Sequence, residues 1–209
     1  MDDLSMPQAL PGAMLGGVTV AMVEKTDDPQ GLGRVTVSFL VDGQRLESGW
    51  LQVMSGFAGP GYGAFFLPAV GQSALVAFAD GDINQPFVLG FLWNGGIKPP
   101  VEGAAVQQDV RVIRTAKGKQ LLLDDSENGQ LTLIDEKQNK VQIDTANQRI
   151  VVETKGDVTV TAGGTLTLKA ANVVLQNTAG SVKLELGANG LQANGGQSMK
   201  LNAAMVEIN

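Results

Sequence analysis

Two pairs of adjacent carboxylates, Asp124-Asp125 and Asp135-Glu136, are the residues of this chain whose type and spacing best suit chemistry. Opposed carboxyl groups cleave glycosidic bonds, and clustered ones bind divalent cations. A third acidic set, Asp80-Gly81-Asp82, has the form of a calcium-loop fragment, but no further ligands follow at loop spacing. The run Ser55-Gly-Phe-Ala-Gly-Pro-Gly-Tyr-Gly63 is as rich in glycine as a phosphate loop, yet it lacks the Gly-Lys-Ser/Thr ending and a following helix. Phe57, Tyr62, Phe65 and Phe66 could stack nucleic-acid bases. No Lys or Arg occurs from Leu51 to Phe91, so nothing there would meet the phosphates.

The elements that must carry these residues favour a plainer reading. Both acid pairs fall at the ends of strand-like runs, where turn acids belong, and Asp80-Gly81-Asp82 reads as a hairpin turn. The glycine-rich run reads as a barrel loop contacting a neighbouring subunit, with its aromatics buried or at a protein interface. Histidine and cysteine are both absent, which excludes disulfides, Cys/His zinc sites, catalytic thiols and Ser-His-Asp arrangements. A net charge of −6 argues against a phosphate-binding surface, hence against nucleic acid as a partner. No catalytic, cofactor-binding or metal-ligating residues are predicted, and the chain is expected not to be an enzyme.

From about Val110 to Asn209 the chain repeats a short phrase in which polar and aliphatic residues alternate before a turn. Examples are Gln130-Leu-Thr-Leu-Ile134, Lys140-Val-Gln-Ile-Asp144, Asp157-Val-Thr-Val-Thr161, Thr165-Leu-Thr-Leu-Lys169, Ser181-Val-Lys-Leu-Glu185, Ser198-Met-Lys-Leu-Asn202 and Met205-Val-Glu-Ile-Asn209. Starts fall about ten residues apart near Gln120 and about eight beyond Arg149, a period that marks a repetitive β architecture. Residues 16–96 have a different texture. Candidate strands there are 17–24, 33–39, 49–54, 73–78 and 86–92, which suit a small closed barrel such as an OB-fold. The expected layout is an N-terminal arm 1–15, a barrel 16–96, a linker 97–109 and a β-helical needle 110–209, all-β and without a convincing helix.

Alternation places each repeat's aliphatics on one face, and that face must be buried. A coil of about eight residues is too short to enclose a core alone but suits one side of a triangular prism. Three chains sharing an apolar axis would also leave no sheet edge. The predicted axis is Leu131, Leu133, Val141, Ile143, Ile150, Val152, Val158, Val160, Leu166, Leu168, Val182 and Leu184, with Leu121 to Leu123 ambiguous. With each strand stepping about 4.8 Å, such a shaft is on the order of 50–60 Å long. The other solution is a monomeric β-sandwich, whose strands and loops should vary more in length.

The ordered set Asp28-Pro29, Gly31-Leu-Gly-Arg-Val-Thr-Val-Ser-Phe39, Trp50, Phe65-Phe-Leu-Pro-Ala-Val-Gly71, Ala77-Phe-Ala-Asp-Gly-Asp82 and Pro86-Phe-Val-Leu-Gly-Phe-Leu-Trp-Asn94 resembles the OB-fold domain of contractile-tail spikes. This family comprises the phage baseplate spike proteins, such as baseplate assembly protein V, and the type VI secretion VgrG proteins. The repeats look like its trimeric β-helical needle. The resemblance implies a homotrimeric spike that sits below the tube and hub, touches the target membrane transiently and pierces it when the sheath contracts. VgrG proteins carry hub domains ahead of the barrel and this chain does not, so the hub is expected to be another polypeptide. Some phage spikes bind iron through a His-x-His point, which a chain without histidine cannot form; a PAAR-type tip protein is the expected cap. The acidic N-terminus lacks signal-peptide character, so synthesis in the bacterial cytoplasm and incorporation into a tail or tail-like particle are expected. The rival readings are a tail-associated glycan-degrading protein, or a glycan- or nucleic-acid-binding β-solenoid.

Overall fold

The computed structural model describes residues 17–205. The expected arm 1–15 and the end of the final repeat, 206–209, lie outside the described residues. The chain divides into two compact units, one reaching to Glu153 and one beginning at Thr154.

The first part of unit one is a small barrel. Its strands are β1 (Val18–Lys25), β2 (Thr36–Val41), β3 (Gln44–Glu47), β4 (Ala58–Gly59), β5 (Tyr62–Gly63), β6 (Ser73–Phe78) and β7 (Pro86–Leu92). Five of them form one antiparallel sheet in the order β3-β2-β1-β6-β7. The segment 51–54 closes it. The Val35 and Leu51 amides each donate to the other's carbonyl at 3.1 and 2.8 Å, and on the other side the Met54 amide donates to Val88 O at 2.8 Å. Inward positions alternate along the strands, and Ala21, Val23, Val35, Val37, Phe39, Val76, Phe78 and Val88 form the core. Phe39 and Phe78 meet edge to face with centroids 5.7 Å apart.

Two barrel expectations need correction. Residues 49–54 form no continuous strand, because they bridge two strands by single pairs at Leu51 and Val53. Strand β3 was not expected. Asp42 and Gly43, both at positive φ (48° and 80°), turn β2 tightly back on itself as the hairpin turn of a right-twisted pair requires.

The connector contains a short helix, α1 (Ala104–Asp109), contrary to the helix-free expectation; it is too brief to display a helical period. Then come β8 (Val110–Arg114), β9 (Gln120–Asp124), β10 (Gln130–Ile134), β11 (Lys140–Asp144) and β12 (Arg149–Glu153). They pair antiparallel, each with its neighbour in sequence, into a five-stranded meander. Strands forming the sides of a three-chain prism were the expectation. Here the turns reverse the chain instead of rounding a prism corner, because turn side chains hold them closed. Asp135 Oδ1 accepts from the amides of Lys137 and Asn139 at 2.8 and 2.9 Å, and Asp144 Oδ1 accepts from the Asn147 amide at 3.1 Å.

Unit two contains one three-stranded antiparallel sheet: β13 (Val173–Gln176), β14 (Lys183–Gly187) and β15 (Gly190–Asn194). Strand β15 was not expected. The phrases at 157–161, 165–169 and 198–202, expected as strands, adopt no regular pairing among the described residues.

Candidate functional site

The meander is a single layer with one face more apolar than the other. Its register aligns Ile113, Leu121, Leu133, Val141 and Val152 in one row across the five strands. The adjoining row on the same face is Arg111, Leu123, Leu131, Ile143 and Ile150. Leu121 and Leu123 therefore join the aliphatic face and Leu122 the other. The opposite face is mixed: Val110, Val112, Leu122, Ile134 and Val151 stand among Gln120, Gln130, Thr132, Lys140, Gln142, Asp144 and Arg149, and Gln142 Nε2 donates to Gln130 Oε1 across it.

The more apolar face is also the more exposed. Leu133, Ile150 and Val152 are 52%, 71% and 63% exposed, whereas Thr132, Gln142 and Val151 are half-buried and Asp144 is buried. Burying one such half-exposed aliphatic adds about 1 kcal/mol, and here two continuous rows await it. Unit two has its own version. Val173, Leu175, Leu184, Leu186 and Leu191 share one face of its sheet, while Lys183 pairs with Glu185 on the other. Of the predicted axis, the six residues from Leu131 to Val152 share the first face and Leu184 lies on the second. Val182 sits at the mouth of the β13–β14 hairpin, where its amide donates to Asn177 Oδ1. Val158, Val160, Leu166 and Leu168 lie in the unpaired stretch.

The meander places the two acid pairs at opposite edges. Asp124 lies at the end of β9, and Asp135 follows β10 at the other edge. Asp124 accepts from the Ser126 amide at 2.9 Å. Glu136 is held by the Lys119 ammonium at 2.7 Å, which ties together two turns on one edge. Side-chain hydrogen bonds from Ser126, Asn139 and Lys119 lower the carboxyl pKa values of Asp124, Asp135 and Glu136 respectively, keeping them ionised as acceptors. The arrangement can staple turns; it brings no two of these pairs across a substrate. Asp82 likewise accepts from Asn84 and Gln85 in the β6–β7 hairpin. Among the described residues no three Asp or Glu side chains gather as a metal site would require.

The barrel's glycine-rich loop forms the β4–β5 hairpin beside an open cavity of about 970 Å³. Phe57 packs on Tyr62 with centroids 5.5 Å apart, and Phe65 and Phe66 stand exposed near them. Ser55 Oγ donates to Ala64 O at 2.8 Å and fastens the loop's base. This surface is aromatic and uncharged, suited to an apolar protein partner and unsuited to phosphates.

Asp28 is a residue whose role sequence reasoning missed. Its carboxylate receives Arg34 Nε and Nη2 at 2.9 and 2.8 Å, with the amides of Gln30 and Leu32 at 3.1 and 3.0 Å. The pair is nearly enclosed, and the Arg34 guanidinium holds the carboxyl well below the usual carboxylate range. The signal was available in Asp28-Pro29 followed by Gly31 and Gly33, a turn needing one acceptor for several amides.

A five-stranded antiparallel sheet closed into a barrel by a short segment, one of whose bridges is parallel, is of the OB class. Residues 19–93 match the type VI secretion system/phage-baseplate injector OB domain. Over that domain the chain is similar to VgrG-like baseplate spike proteins. It is 43% identical over 79 residues to the type VI secretion system spike protein VgrG4b of Pseudomonas aeruginosa, covering 36% of this chain and 10% of that protein. It is 42% identical over 74 residues to VgrG5 of the same organism, covering 34% and 9%. It is also 35% identical over 72 residues to the actin cross-linking toxin VgrG1 of Vibrio cholerae, covering 32% and 7%. The matched stretch thus spans a tenth or less of each relative's length.

Proposed function

We propose that this chain is the structural central spike of a contractile injection system, a phage tail or phage-tail-like particle. It acts as a homotrimer and pierces the target envelope on sheath contraction. The observation that carries this reading is the meander whose aliphatic face is its exposed face, following directly on an injector-type barrel. Three copies of that sheet, aliphatic faces inward, make a triangular needle with a dry axis and more polar walls. The mechanism is mechanical and non-catalytic: stiffness comes from the backbone ladders and from the shared apolar axis. The barrel, through its uncharged aromatic loop, joins hub or baseplate proteins, and a PAAR-type tip protein caps the needle.

Light scattering on the purified chain tests the reading. The expected mass is three times the chain's 21.8 kDa, and it should survive mild SDS without boiling. A monomer with a cooperative thermal transition sinks the needle and returns attention to a solitary binding module.

A further inference from the structure

We propose that Asn128 is a site of spontaneous modification, an asparagine that the fold leaves free to deamidate and to reroute the main chain as isoaspartate. The proposal is independent of the trimeric reading.

Asparagine is among the chemically labile residues, and the chain contains four Asn-Gly steps, at Asn94, Asn128, Asn189 and Asn194. In such a step the glycine nitrogen attacks the asparagine Cγ, unhindered because glycine carries no side chain. The new C–N bond displaces Nδ2, which leaves as ammonia with the glycine amide proton, and a cyclic succinimide results. Water then opens the ring. Cleavage of the bond from nitrogen to Cγ gives aspartate. Cleavage of the bond to the backbone carbonyl carbon gives isoaspartate, in which the main chain runs through Cβ and Cγ. The net change exchanges an amide for a carboxylate and consumes only water.

The fold treats the four steps differently. Asn94 is pinned at both ends of its amide: Oδ1 accepts from the Gly96 and Ile97 amides, each at 2.9 Å, and Nδ2 donates to Ser73 Oγ at 3.0 Å. Asn194 ends β15 opposite Lys183, and its Oδ1 accepts from the Gly196 amide at 2.9 Å. Gly190, the nucleophile for Asn189, is a rung of the β14–β15 ladder opposite Gly187. Asn128 has none of these restraints. It lies exposed in the turn between β9 and β10, and among the described residues its side chain makes no hydrogen bond. Gly129 lies outside both strands. At the other three steps held structure must open before nitrogen and Cγ can meet, and the rate falls with the free energy of that opening.

Conversion at Asn128 bears on the sheet. It adds a negative charge to a turn that already holds Asp124, Asp125 and Glu127. Isoaspartate also lengthens the main chain beside Gly129, whose carbonyl accepts from the Thr145 amide at 3.1 Å and so joins this turn to the one after β11. The end of the meander where the two turns meet should loosen as the protein ages.

The test is peptide mapping by mass spectrometry of the full chain, incubated at mildly alkaline pH both folded and unfolded in urea. Incubation runs until half of Asn128 in the unfolded chain is converted. Trypsin isolates Asn128 in the peptide 120–137, and fragmentation of 184–200 separates Asn189 from Asn194. In the folded chain Asn128 should keep close to its unfolded rate, while the other three slow at least about tenfold. A protein isoaspartate methyltransferase should label the aged folded chain, and Asn128→Gln should remove that label. An Asn128 slowed as much as the rest overturns the proposal. So does any other step that matches Asn128 in the folded chain, or a label that Asn128→Gln leaves undiminished.

Discussion

Asp28 shows how one side chain fixes a loop. Its carboxylate answers amides of Gln30 and Leu32 together with the Arg34 guanidinium, so the Asp28–Arg34 turn is organised around a single negative charge. The folded state holds this pKa below its unfolded value of about 3.9. Its contribution is therefore present above that value and is lost as pH falls through the lower, folded one. Thermal melts of Asp28→Asn should lie below those of the parent at neutral pH. The gap should stay constant down to about pH 5 and narrow below about pH 4. A gap that widens in acid would contradict the assignment. Gly63 is a second such point. At φ 142° a Cβ would stand 2.5 Å from the Phe57 carbonyl oxygen, a backbone atom that cannot move aside cheaply. Gly63→Ala should strain the hairpin by about 1–3 kcal/mol. The chain's one tyrosine, Tyr62, reports on it: its ring resonances should lose the shift that the Phe57 ring imposes. The core lies elsewhere, so the barrel's melting should change little.

At the scale of elements, one substitution on each face of the meander separates the two roles. Ile143→Asp introduces a carboxylate into an aliphatic row and should abolish the trimer in light scattering. Gln142→Glu, one residue away on the mixed face, should leave it intact. Equal behaviour of the two would refute the inward assignment. Much of this was legible in the sequence. Alternation at Leu131/Leu133 and Val141/Ile143 fixes the face, because in each case two aliphatics flank a polar residue; Ile150-Val151-Val152 gives no such contrast. The run Leu121-Leu122-Leu123 carries no such contrast, and only its register against Leu131 and Leu133 decides it. Strand β3 has one aliphatic, Leu46, so alternation missed it although Asp42-Gly43 announced the turn. The acids at Asp124 and Asp135 read correctly as turn residues, but their separation to opposite edges follows from the meander. Hairpin reversal and a prism corner use the same turn residues, so the period alone did not distinguish them. The difference between Leu131-Thr-Leu133 and Leu166-Thr-Leu168 lies in what pairs with each, which no local pattern encodes.

For the whole molecule, association through aliphatic rows should respond to salt unlike association through charge. Ion pairs weaken as the Debye length shrinks to about 3 Å at 1 M salt, while apolar burial does not. The mass of the proposed trimer should therefore hold across that range, and dissociation at high salt would point to a charged interface. No helix among the described residues is long and apolar enough to cross a membrane. The meander's connectivity has a further consequence, for the order of events during synthesis. Each of its strands closes a short loop onto the strand just made, so contact order is low and loop-closure entropy small. The sheet can form strand by strand as it leaves the ribosome, before a second polypeptide is at hand. If the trimer forms as proposed, chains translated side by side on one message should assemble sooner than chains that must diffuse together.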